Sequence, residues 1–129
     1  MATVTPKLTI SSSDLLSQPV NISVSSSITA TSGGVERRKV AQTAVHSNAV
    51  VLFTASDFSA PAYLFVKNTE TTVTNYVYVY DDTTSGDPVI LKLAGGQFAW
   101  MPLNAGLTIK AYGTSADSIV EFGLFGTDA

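Results

Sequence analysis

At 129 residues the chain has the length of one domain, able to bury roughly two-thirds of the surface its unfolded form exposes. A net charge of −3 argues against a dedicated nucleic-acid binder, and the absence of cysteine excludes a disulfide framework or a thiolate metal site. Apolar residues make up 45 % and charged ones only 13 %, so the 16 Thr and 15 Ser supply much of the polar surface, a mixture that suits β-branched packing on a pleated sheet.

The opening MATVTPKLTISSSDLL has no charged segment followed by a sustained apolar run, so no secretory signal is expected, and no apolar window is long enough for a spanning helix. The chain is expected to be made and kept in the cytoplasm, or assembled there into something larger. Period-2 alternation begins at once: Leu8 and Ile10 flank Thr9, and Val20, Ile22 and Val24 alternate with Asn21 and Ser23. The Ser-rich segment 11–32 keeps this alternation and is expected to form edge strands or an arm, with residues 1–20 an extended N-terminal arm of one domain spanning 1–129. Residues 35–46 and 49–54 suggest two more strands, with a helix the alternative for 35–46 because Ala, Gln, Lys and Arg tolerate it. From residue 61 onward, strand-like runs at 61–67, 73–80, 88–93, 97–101, 107–112 and 118–125 are separated by turn-forming NTETT, DDTTSGD, AGG, LNAG and GTSAD. About eight to ten strands so punctuated predict an all-β, antiparallel β-sandwich of jelly-roll type.

The run NYVYVYDD (75–82) places Val77 and Val79 on one face of a strand and Tyr76, Tyr78 and Tyr80 on the other. Small β-branched residues suit the core. The three tyrosines are then expected on an outer face covered by a neighbouring subunit, with burial inside the sandwich and sugar stacking as the alternatives. Adjacent Asp81 and Asp82 point to opposite faces and make a poor acid–base pair. With Gly86 supplying positive φ they suggest a turn, and a calcium site with Asp87 lacks both ligands and spacing. His46, the only histidine, excludes multi-histidine metal sites, no Gly-x-Ser-x-Gly elbow is present, and a turn role is expected for it. The pairs Gly33–Gly34 and Gly95–Gly96 precede no phosphate-binding helix and are expected in hairpins. In Glu36-Arg37-Arg38-Lys39, Arg37 and Lys39 share a strand face opposite Arg38. The cluster suits either a charge-protected edge strand or a contact with an acidic protein surface.

Three stretches of the second half carry a resemblance: AYLFVKNTE (62–70), ILKLAGGQFAWMPLNAGLTIKAYG (90–113) and VEFGLFGT (120–127). Lys67-Asn68-Thr69 ending a strand, Gly95, Gly96, Phe98, Pro102 and Leu103 in a turn, and Val120-Glu121-Phe122 in a last strand resemble small virion structural proteins of tailed bacteriophages. The matching positions are turn and core residues, so the resemblance implies no catalytic residue, cofactor or metal. It implies a virion location and a role in capsid decoration, a head fibre or the tail. The leading expectation is a non-enzymatic decoration (cement) protein. Its partner would be the major capsid protein or another virion protein, and it would self-associate as a trimer through Tyr76, Tyr78 and Tyr80. Capsid contacts are expected from Pro6, Leu8, Ile10 and Leu16, and from Arg37, Arg38 and Lys39. A tail, neck or fibre protein is the first alternative, and a carbohydrate-binding module using the tyrosines or Trp100 the second. Neither nucleic acid nor membrane is expected as a partner.

Overall fold

Alternating β-branched and polar residues produce strands throughout the described residues. The structure, a computed structural model, describes residues 1–15, 17–40, 42, 49–54, 57–104, 106–115 and 118–128. Among these the regular elements are the strands β1 (Ala2–Val4), β2 (Lys7–Ser12), β3 (Val20–Ser25), β4 (Ile28–Ala30), β5 (Ser32–Lys39), β6 (Val50–Phe53), β7 (Phe58–Asn68), β8 (Val77–Asp81), β9 (Val89–Leu93), β10 (Phe98–Leu103), β11 (Ile109–Gly113) and β12 (Ile119–Asp128). The fold is all-β.

Two four-stranded antiparallel sheets, ordered β10-β7-β12-β5 and β6-β11-β8-β9, form a sandwich. Their pleats set the core. Ala62, Leu64 and Val66 of β7 and Val120 and Phe122 of β12 meet Val77 and Val79 of β8 and Ile109 and Ala111 of β11 in one buried cluster. Fully burying each aliphatic side chain contributes about 1.5–3 kcal/mol, so this inner layer is the main source of stability. As the alternation required, Val77 and Val79 face inward and the even-numbered tyrosines of β8 face outward.

From β5 to β12 the chain passes repeatedly between sheets, and β8–β9 is the one consecutive pair that is hydrogen-bonded. This arrangement corrects the reading of both glycine pairs. Gly33 and Gly34 lie inside β5, opposite Phe125 and Leu124. A Cβ on Gly33 would come within 2.8 Å of the Leu124 carbonyl oxygen and of Phe125 Cδ1, so close approach of two strands requires the glycine there. Gly95 and Gly96 form the turn by which the chain crosses from β9 in one sheet to β10 in the other, closed by a Gln97 N–H bond to the Ala94 carbonyl (3.0 Å), with Gly96 at φ +85°. Hairpin chemistry and crossing chemistry need the same residues, which is why sequence alone did not separate them.

Two boundaries also moved. The strand expected over 73–80 begins at Val77, because Asn75 N–H bonds the Thr72 carbonyl (3.0 Å) and closes a turn first. The strand expected over 35–46 runs from Ser32 to Lys39, with no helix over those residues. Residues 43–48, His46 among them, lie outside the described residues. Short β1 and β4, which pair with each other, carry too few residues to show a period and were not anticipated.

Candidate interaction site

The N-terminal arm is a hairpin rather than a single extended segment. β2 and β3 pair only with each other, placing Leu8 opposite Val24 and Ile10 opposite Ile22 on one face. Their partners on the other face are Thr9, Ser11, Asn21 and Ser23, polar as expected for solvent. Yet the apolar face is also open: Leu8, Ile10, Ile22 and Val24 are 43, 47, 46 and 54 % exposed. Pro6, half-buried, anchors the hairpin base through its carbonyl, which accepts the Ser26 N–H at 3.1 Å. Leu16 lies outside the described residues.

At that base the hairpin meets the edge strand β10 across a cleft of about 350 Å³, lined by Pro6, Leu8 and Val24 on one wall and by Phe98, Ala99 and Trp100 on the other. Phe98 is 60 % exposed. The second wall continues over the outer face of the sheet, where Trp100 stacks on Tyr63 (centroids 5.7 Å apart) and leans on Phe125 (5.8 Å). Sequence reading treated Phe98 as a turn-motif position and passed over Tyr63 and Phe125. The available signal was aromatic alternation, with Tyr63/Phe65 and Phe98/Trp100 each two apart on strands whose intervening residues are core. With the Tyr63 ring stacked against the indole, less of its face is free to serve as a platform for a sugar ring.

The tyrosine face is organised differently from the expectation. Tyr78 stacks on Tyr112 of β11 (5.1 Å), Tyr80 tilts against the same ring (5.8 Å), and the Lys92 ammonium sits over Tyr76 (4.2 Å) and Tyr78 (5.9 Å). Tyr80 has no accessible surface in the single chain, so it supplies no area to a subunit contact, while Tyr76 and Tyr78 remain half-buried. The expected three-ring contact is reduced to two rings, already partly covered by a lysine.

Asp81, the last residue of β8, and Asp82 just beyond it find different partners. Asp81 accepts the Thr83 N–H (2.8 Å) and the Thr84 hydroxyl (2.6 Å), while Asp82 pairs with Lys110 at 2.8 Å. This is turn chemistry, with Gly86 at φ +91° as expected and Asp87 also in the left-handed region at +46°. The Thr84 hydroxyl bond above all, with the Thr83 amide, holds the Asp81 carboxyl below its usual range. Burial, then the nearby charges of Asp82 and Asp87, push the Tyr80 phenol up to about 12.

A raised phenol pKa means that the fold favours neutral Tyr80. Its contribution is complete below the unfolded value near 10 and is lost as pH rises through about 12. Tyr80→Phe is therefore expected to shift the alkaline unfolding midpoint upward, and tyrosinate absorbance should show one late-titrating group that the variant lacks. An unchanged alkaline limb would refute this. Asp81 works at the other end: its depressed pKa gives stability above the unfolded carboxylate value that is lost as pH falls through the folded one.

On β5, an edge strand, Arg37 bonds Glu121 (2.7 Å) and Arg38 bonds Glu36 (2.6 Å) from the opposite face, where it also lies 5.8 Å over the Phe122 ring. Lys39 is exposed at the strand end. Arg37 and Arg38 thus have carboxylate partners in the chain, which weakens the attraction this edge offers to an acidic surface.

Most of the residues behind the phage resemblance meet at one end of the sandwich, while Pro102 and Leu103 lie farther along β10, opposite Tyr63 and Ala62. Asn68, fully buried, donates from Nδ2 to the carbonyls of Asn75 (2.7 Å) and Leu93 (3.0 Å) and accepts the Glu70 N–H at Oδ1 (3.1 Å). Its backbone bonds Gly96 and Gln97 (2.9 Å each). The Lys-Asn-Thr strand end and the Gly-Gly turn are therefore parts of one structural joint. Among the described residues no group of three His, Asp or Glu is placed to hold a metal ion.

No protein-family model matches the chain, and no curated protein matches it. Among solved structures it is similar to a chain from work described as "Bacillus endospore appendages form a novel family of disulfide-linked pili", with TM-score 0.52 and 17 % identity, covering 73 % of this chain and 81 % of that one. Identity this low bears on fold alone.

Proposed function

We propose that this chain is a non-enzymatic structural subunit that works by packing against other protein subunits in a multi-copy assembly. The carrying observation is the β2–β3 hairpin, which stands off the sandwich with both its polar and its apolar face open. A two-stranded ribbon is at best marginally stable alone in water, so a face of four half-exposed aliphatics signals a surface covered in use. The likeness to a pilus protein supports a structural role for this fold, although a chain without cysteine has no means of disulfide linkage.

The specific form we favour is a tailed-phage virion protein, with capsid decoration first and a tail, neck or fibre position second. Its support is the joint around Asn68, where the Lys-Asn-Thr strand end, the Gly-Gly turn and the start of the Val-Glu-Phe strand adjoin one another. We also infer that β5–β12 form a jelly roll, a reading supported by eight strands in two four-stranded sheets. Location and copy number test the virion reading together. Quantitative mass spectrometry of purified phage particles whose genome encodes the chain is expected to find it in a fixed ratio to the shell protein. A few copies per particle would shift the assignment to tail or neck, and absence from the particles would overturn it.

A further inference from the structure

We infer that the partner of the hairpin is a second copy of this chain, and that two copies clasp each other about a twofold axis. In the clasp, the distal half of each β2–β3 hairpin, bearing Ile10 and Ile22, occupies the other copy's cleft between Leu8/Val24 and Phe98/Trp100. This rests on the structural-subunit reading and names the partner that reading leaves open.

Area decides between the possible pairings. Removing one aliphatic side chain from water hides roughly 100 Å², and the four hairpin aliphatics are each about half exposed. Laid hairpin against hairpin, each copy would bury only about 200 Å² of apolar surface, which at the usual apolar share means an interface of about 350 Å² per partner. A stable complex needs about 800 Å² per partner. Phe98 is 60 % exposed and Trp100 half-buried beside it. A large ring buries about 150–250 Å², so the aromatic wall adds about as much again as the hairpin. With both walls used, each copy buries about 700 Å², close to the requirement.

Shape and charge point the same way. The molecule carries a projecting apolar ribbon directly beside an apolar notch, which is the self-complementary pair that a twofold contact needs. A volume of about 350 Å³ lies at the small end of binding clefts, so it admits the side chains of a ribbon and excludes a bulky domain edge. Lys7 is the one charged residue lining it, and the apolar face of the entering hairpin carries none, so closure buries no opposed charges.

Because the chain has no cysteine, crosslinking is a clean test. Two single variants, Ile22→Cys and Phe98→Cys, are mixed under mild oxidation and run on a non-reducing gel. The clasp predicts a rapid heterodimeric crosslink in the mixture and little product from either variant alone. In parallel, light scattering should find the wild-type chain dimeric at about 100 µM, with Ile10→Asp/Ile22→Asp weakening the dimer by about a hundredfold or more while the strand spectrum is unchanged. Phe98→Ser, on the opposite wall, should weaken it in the same direction. A monomeric wild type at that concentration, or dimers that neither substitution weakens, overturns the clasp. If the wild type is monomeric yet Ile10→Asp/Ile22→Asp still removes the chain from particles, the structural-subunit reading survives and the clasp does not. A crosslinked clasp in a chain absent from every particle is the reverse result.

Discussion

Replacing Asn68 with alanine is expected to cost about 3 kcal/mol of folding stability, more than any single surface contact in the molecule. The amide is buried and makes three bonds through its side chain, two donated to the Asn75 and Leu93 carbonyls and one accepted from the Glu70 amide. Alanine leaves two carbonyls and one N–H without that partner, and each buried orphan costs about 1–3 kcal/mol, less where water reaches it. For a domain of this size the loss should lower Tm by roughly 10 °C. Asn75→Ala is the control, since its side chain makes one 3.3 Å bond to Glu70 and should cost under about 1 kcal/mol. Asn68→Asp sharpens the test. A carboxylate facing two carbonyls has no proton to donate, so its pKa in the fold rises, and the variant should recover part of its stability as pH falls through that raised value. Thermal unfolding of the three variants at neutral and acidic pH decides it. Equal midpoints for Asn68→Ala and Asn75→Ala would show that the joint is not held by this side chain.

That joint also marks how far the sequence could be read. Alternation identified the all-β sandwich and the inward face of β8, because a period of two needs no tertiary knowledge. It placed Asp81 in a turn because aspartate, threonine and glycine at that spacing bond locally. What it could not supply was which strands neighbour one another. Gly95–Gly96 looks the same whether the chain returns along one sheet or crosses to the other, and only the strand order separates the two. Tyr80 fails for a related reason. Its outward direction was legible, but one ring packed against it is that of Tyr112, which is thirty-two positions away in sequence and adjacent only through β8–β11 pairing. Of the expected contact residues, Leu8 and Ile10 are about half exposed in the single chain, while Arg37 and Arg38 are engaged by Glu121 and Glu36. The aromatic wall of Tyr63, Trp100 and Phe125 spans three strands, so no window of sequence contains it.

The crossing turn yields the second large effect, through space rather than hydrogen bonding. Gly95→Ala is expected to destabilise the fold by about 2–3 kcal/mol, the upper part of the range of about 1–3 kcal/mol for forcing extra volume into packed surroundings. An added Cβ would lie 2.5 Å from the Thr72 carbonyl oxygen and 2.8 Å from that of Glu70, and both are backbone atoms that have no rotamer to move. The loop from Glu70 to Thr72 is held on its other side by the Glu70 amide bond to Asn68, so retreat of the loop strains the joint just described. The neighbouring glycine separates sterics from backbone conformation. Gly96 has open space around its Cβ position but sits at φ +85°, so alanine there should cost only the left-handed penalty of about 1–2 kcal/mol. Gly34 has neither constraint: nothing lies within 4 Å and its φ is not positive. Gly34→Ala should therefore be neutral or stabilising by about 0.5 kcal/mol, through lost freedom in the unfolded chain. Chemical denaturation of the three variants should rank them Gly95→Ala, Gly96→Ala, Gly34→Ala from least to most stable. If Gly95→Ala unfolds with the wild-type midpoint, the two crossings do not touch as described, and the contact between the resemblance motifs loses its structural basis.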